Sequence, residues 1–107
     1  MADIDISVNV PSNGYDITSK FFTIESGELS LTANTMSGNI TLWFGQTFGS
    51  IPDIFPAIIA VGSETSTPTS VTGSVSVYVD KVTTSSCVLK AISSTTQNIK
   101  IKILVIK

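Results

Sequence analysis

Five residues carry the side chains from which chemistry is most readily built. Cys87 is the only thiol in 107 residues, so no internal disulfide and no cysteine-based metal cluster can form. A reactive thiol needs a base or a positive charge beside it. The chain has no His, and Lys90, three residues on, points to the opposite face of an extended strand. Cys87 is therefore expected to be a small buried apolar residue. Asp3 and Asp5 share one face of a strand at about 6.5–7 Å, a separation that a glycosidase pair or a cation would tolerate. Their place near the N-terminus favours two solvated carboxylates instead. Trp43 and Tyr78 interrupt two apolar rows and are expected to point outward. An apolar ring with a polar handle suits a subunit interface or a sugar-stacking platform.

Absences narrow the function further. Without His the usual proton carrier near neutral pH is missing. Without Arg there is no planar fork for phosphate or carboxylate, and six Lys against eight acids leave a net charge of −2. Nucleic-acid binding needs a basic footprint, which this chain lacks. Neither G-x-G-x-x-G nor G-x-x-x-x-G-K occurs, so no phosphate-cradling loop is expected. The reading is non-enzymatic, with no cofactor, no metal and no nucleic-acid partner.

The elements that hold these residues are strands. Ile, Val and Thr together supply 38 residues, and such β-branched side chains pack better on a pleated sheet than in a helix. Charged residues are only 13%, about half the usual share, while Ser and Thr number 30. Disorder is excluded by this low charge and apolar richness. The scarcity of charge also hints at surface hidden in an assembly.

Alternation marks the strands one by one. Ile4, Ile6, Val8 and Val10 share a face, ended by Pro11-Ser12-Asn13-Gly14. Residues 15–24 read as one irregular strand, and Glu25-Ser26-Gly27-Glu28 as a turn. Leu29, Leu31 and Ala33 alternate next, then Ile40, Leu42 and Phe44. A loop at 45–50 carries Phe48, with a plain turn role expected for its glycines. Pro56 inside the apolar run 54–61 argues for an edge position or a bulge. The polar stretch 62–70 reads as a mobile loop tip. Val71, Gly73, Val75, Val77 and Val79 follow, then a turn at 83–85, a strand over Cys87–Ile92 and a last strand from Ile99.

That last strand has Ile99, Ile101, Ile103 and Val105 on one face. On the other, Lys100 and Lys102 give way to Leu104 and Ile106, and the Lys pair is expected to blunt edge-to-edge pairing. Something must cover Leu104 and Ile106: another sheet element or another subunit. The expected fold is a single-domain, all-β, antiparallel β-sandwich of about eight short strands. The longest apolar run has eight residues, far short of the roughly 18 that span a bilayer. The acidic start, Met1-Ala2-Asp3-Ile4-Asp5, lacks the basic and apolar regions of a signal peptide. A soluble protein with no membrane insertion is expected.

One set of landmarks resembles a known family. The stretch Asn39-Ile40-Thr41-Leu42-Trp43-Phe44, then Phe48, Ile51-Pro52 and the apolar strand 54–61, is similar to the front half of an H-type lectin-like domain. Val77-Tyr78-Val79-Asp80-Lys81-Val82-Thr83-Thr84, followed by an apolar strand and an Ile-rich C-terminal strand, resembles its back half. The resemblance covers residues 39–107 as the sandwich core and leaves residues 1–38 as N-terminal strands, an attachment or assembly element. Where the family often places Gly and an aromatic after Thr-Thr, this chain has Ser86-Cys87, and its last strand carries no aromatic. Family sugar sites use charged and ring side chains at the subunit boundary, and without His or Arg no sugar contact carries over.

Such domains are frequent in virion proteins of tailed bacteriophages and form trimers or hexamers. The resemblance thus implies a structural virion protein, made in the host cytoplasm, that self-associates on the particle surface and contacts other capsid or tail proteins. Capsid decoration is the expectation, because no long shaft segment is present. The alternative is a tail-fibre or tail-tip adhesin that binds host surface glycan. Trp43, Tyr78, Leu104 and Ile106 are the candidate interface or ligand platform.

Overall fold

The computed structural model describes residues 3–7, 21–61 and 70–107, and these form an all-β sandwich of two packed sheets. Seven strands are present among them, against about eight expected: β1 (Ile4–Ser7), β2 (Phe21–Leu31), β3 (Ile40–Trp43), β4 (Asp53–Ala60), β5 (Val75–Val82), β6 (Ser86–Ser93) and β7 (Gln97–Ile106). One sheet, here sheet A, has the order β1-β3-β6-β5, and the other, sheet B, the order β2-β7-β4. All neighbours are antiparallel except β1 and β3, which run parallel. The segments expected at 8–20 and 62–69 lie outside the described residues.

The core follows the alternation. Ile99, Ile101, Ile103 and Val105 of β7 are completely buried and face Ile40, Leu42, Cys87, Leu89 and Ala91 of the opposite sheet. Ile24, Leu29 and Leu31 complete it from β2, so the segment before residue 39 contributes to the same core as the rest. At one end Phe22, Phe44 and Phe48 form a ring cluster with centroids 5.8–6.3 Å apart. Phe48 is thus more than loop filler. Its N–H donates to the Thr84 carbonyl at 2.9 Å, tying the 45–50 loop to the β5–β6 turn.

Several sequence expectations are corrected. Glu25-Ser26-Gly27-Glu28 is a β-bulge within β2, where the pairing with β7 shifts register. Gly27 supplies the positive φ of 76°, cheap only without a Cβ. Buried Ser26 repairs the ladder: its Oγ accepts the Ile101 N–H at 2.9 Å and donates to the Gly27 carbonyl at 2.8 Å. Turn chemistry and bulge chemistry share the same residue types, so local pattern alone misread it. Ala33 makes only an isolated bridge to Ser93, and β5 begins at Val75 rather than at Val71. Gly73 adopts a φ of 62°, and the Thr72 backbone is held at both its N–H and its carbonyl by the Gln97 side-chain amide.

The last strand occupies the centre of sheet B, so Lys100 and Lys102 do not guard an edge. Both meet Glu25 on the outer face, at 3.3 and 4.0 Å. Pro56 does lie on an edge strand, β4, whose eight residues pair with β7 without a register shift. Ser37 works like Ser26: its N–H donates to the Ala91 carbonyl at 2.8 Å and its Oγ accepts the Ala91 N–H at 2.9 Å. Hydroxyls thus take up the backbone valences that the irregular ladders leave open.

Candidate functional surfaces

Cys87 is fully enclosed, and burial pushes its thiol from an ordinary 9.0 up to about 11. It is a protonated core residue at neutral pH. Lys90 stands on the other face of β6, opposite Tyr78. Asp3 and Asp5 are exposed, and Asp3 Oδ1 accepts the Asn39 N–H at 2.9 Å, fastening the start of β1 to the start of β3. Among the described residues no three His, Cys, Asp or Glu side chains gather closely enough to hold a metal ion.

Two shallow hollows lie at the end of the sandwich away from the Phe cluster. One, of about 180 Å³, is lined by Asn34, Ser74, Ser76, Ile92, Ser93 and Ser94. The other, of about 440 Å³, is lined by Val61, Ser70, Thr72, Thr96, Gln97 and Asn98. Their polar groups largely serve the fold. Gln97 Nε2 donates to the Thr72 carbonyl at 2.6 Å and to Ser93 Oγ at 2.9 Å, while its Oε1 accepts the Thr72 N–H at 3.0 Å. The Ser74 N–H donates to Ser94 Oγ at 2.9 Å, and the Ala33 N–H to Thr96 Oγ1 at 3.1 Å.

The four candidate platform residues fall on two opposite surfaces. Trp43 pairs with Ser86 and Tyr78 with Lys90, so both rings stand on the outer face of sheet A, 42% and 50% exposed. They flank β6 at positions four residues apart, a separation of roughly 16 Å from strand geometry. Leu104 and Ile106 stand on the outer face of sheet B. The structure therefore joins Trp43 with Tyr78 and Leu104 with Ile106, but not one pair with the other.

Leu104 and Ile106 have neighbours that the sequence reading missed. Phe21 of β2 pairs directly with Ile106, and Thr23 and Phe55 flank Leu104 from either side. Paired residues of an antiparallel ladder share a face. Phe21, Phe55, Leu104 and Ile106 thus form one apolar patch, with Phe21 66% and Phe55 53% exposed. Ile51, just ahead of β4, is 61% exposed. A contiguous exposed apolar patch rimmed by polar residues is the form that interaction sites take on a protein surface. Further along the same face, Glu25, Glu28, Lys100 and Lys102 make a mixed-charge border. The missing signal was the register: Phe21 and Phe55 lie 34 residues apart, and only their common partner strand brings them together.

No known protein family, curated protein or solved structure matches this chain.

Proposed function

We propose that this chain is a non-enzymatic structural module, a small β-sandwich that docks onto a larger assembly through the outer face of sheet B. The observation that carries this reading is the patch of Phe21, Phe55, Leu104 and Ile106, apolar at its centre and bordered by charge. An interface core of this make-up loses water readily, while the mixed-charge border sets orientation. The resemblance to H-type lectin-like domains of bacteriophage virions supports a particle surface as the setting, with self-association and a capsid-decoration role. Co-sedimentation tests it: the purified chain is added to particles assembled without it, and copies bound per particle are counted. Saturable binding that Phe21→Ser and Ile106→Ser abolish is the expected result. Equal binding by parent and variants removes the patch from the mechanism.

The exposed Trp43 and Tyr78 favour a second reading, a tail-fibre or tail-tip adhesin that takes host glycan on the outer face of sheet A. Sugar rings stack on such faces, and Lys90 and Thr41 stand beside them as polar partners. Trp43→Ala separates the two readings: lost binding to host cells with particle binding intact favours the adhesin.

A further inference from the structure

The outer face of sheet A sorts its charges by strand. Asp5 pairs with Thr41, Thr41 with Val88 and Val88 with Lys81, so these residues form one row across β1, β3, β6 and β5. Their neighbours Leu42, Cys87 and Leu89 point into the core, so the row stands on the outer face. Asp5 and Lys81 are both exposed and lie three strand spacings apart, about 14 Å. Two residues along, the order repeats. Asp3, whose Oδ1 accepts the Asn39 N–H, lies on the β1 side, and Lys90 with its ladder partner Tyr78 on the β6–β5 side. In the other direction Trp43 stands beside Ser86.

The face is thus acidic at β1 and carries its lysines on β6 and β5, with Thr41, Trp43 and Val88 between. The two strips do not satisfy each other. Among the described residues both ion pairs fall on Glu25, and Asp3, Asp5, Lys81 and Lys90 join none. Asp80, in the β5 bulge next to Lys81, makes no ion pair with it either.

We infer that two copies of this chain pack sheet A against sheet A, about a two-fold axis that runs along the strands between β3 and β6. Such an axis exchanges left and right and keeps each row at its own height. Asp5 then meets Lys81 of the twin twice over, and Asp3 meets Tyr78 and Lys90 of the twin. A two-fold across the strands would lay β1 on β1 and set Asp5 against Asp5, so the charge pattern selects the first axis. The arrangement has the anatomy of an interface, with Trp43 and Val88 central and the opposite charges at its two rims. Each Trp43 lies beside the axis, over the small Ser86 of the twin. Sheet A measures roughly 19 Å across its strands and 27 Å along the longer ones, a footprint on the order of 500 Å² per partner. That is small for a permanent interface, so the dimer dissociates on dilution. The two Phe21–Phe55 patches face opposite ways, and the pair bridges two docking surfaces. The inference rests on the reading that the chain self-associates, and it fits a hexamer or another even-numbered assembly rather than a lone trimer.

Sedimentation equilibrium of the full chain across a concentration series tests it, with Asp5→Lys, Lys81→Asp and Ser30→Glu as variants. All three positions are exposed, and Asp5→Lys leaves the Asp3–Asn39 bond in place. The parent is expected to show an even-numbered association, weakened at least tenfold by Asp5→Lys or by Lys81→Asp and unchanged by Ser30→Glu on sheet B. The equimolar mixture of Asp5→Lys with Lys81→Asp is expected to regain the parent's association, because each lysine then meets an aspartate of the other chain. Within one chain the two positions are too far apart to pair, so misfolding or a local effect gives no such rescue. A parent that stays monomeric or forms only trimers overturns the inference, as do equal losses in all three variants or a mixture that stays dissociated. Phe21→Ser should lose particle binding and keep the dimer, so failure of the docking reading is distinguishable from failure of the sheet A joint.

Discussion

The two long sides of this sandwich obey the same alternation and end in opposite states. Along β3, β6, β7 and the second half of β2 the inward apolar residues are closed off: Leu42, Leu89, Ile99, Ile101 and Ile103 have no contact with water. Along β4 and β5 the same inward parity leaves Ile58 and Val79 more than a third exposed. Hydrophobicity does not distinguish them, since Ile58 and Ile101 are the same side chain in one cross-strand pair. Position does. A central strand is flanked on both sides and roofed by the facing sheet, whereas an edge strand is roofed only as far as the opposite sheet reaches. Burial energy thus accrues to a residue from its neighbours rather than from its own character.

The contrast can be broken or sharpened by experiment. The largest effect is expected from truncating both members of the Ile58–Ile101 pair separately. Ile101→Ala should cost about 3–4 kcal/mol in urea unfolding, because it leaves a cavity in a core that cannot collapse around it. Ile58→Ala should cost under about 1 kcal/mol, because its partly exposed side chain leaves little buried area to lose. Equal losses would mean that the open side is as well packed as the closed one.

Cys87 offers a pH-dependent version of the same comparison. Its thiol is held at about 11 in the folded chain against 9.0 ordinarily, so the folded state keeps the proton that the unfolded state gives up. Stability from this group is therefore complete below pH 9 and falls as pH rises from 9 through 11, by about 2 kcal/mol. Unfolding measured across that window, for the parent and for Cys87→Ala, isolates the effect: the difference between the two profiles should shrink as pH rises. A flat difference would show that the thiol is not sealed.

A smaller loss is expected at the bulge. Ser26→Ala removes the acceptor of the Ile101 N–H, and an unpaired buried donor costs about 1–2 kcal/mol. Ser30→Ala, four residues along the same strand and exposed, should change stability by less than about 0.5 kcal/mol. If the two behave alike, the hydroxyl at 26 is not what holds the bulge closed.

Much of the fold could be read from period-two patterns, and the candidate surfaces only in part. Ile99, Ile101, Ile103 and Val105 announced a buried face because nothing but a strand places those four on one side. Trp43 and Tyr78 were readable as outward by parity with Leu42 and Val77. Glu25-Ser26-Gly27-Glu28 was not readable as a bulge, since a turn and a bulge both want glycine at positive φ and a hydroxyl beside it. The distinction lies in whether the chain on either side pairs with one strand, β7, and that strand is about seventy residues away.

The sequence by itself determined the all-β class that the described residues adopt, which side chains of each strand share a face, and that Cys87 has no titrating partner close by in the chain. These are local consequences of backbone geometry and residue chemistry. Only the tertiary structure decided that β7 is central rather than an edge, that Phe21 and Phe55 join Leu104 and Ile106 on one surface while Trp43 and Tyr78 occupy the opposite one, and that β4 borders sheet B among the described strands. Strand order and register are set by the collective burial of the core, and no single segment carries that information.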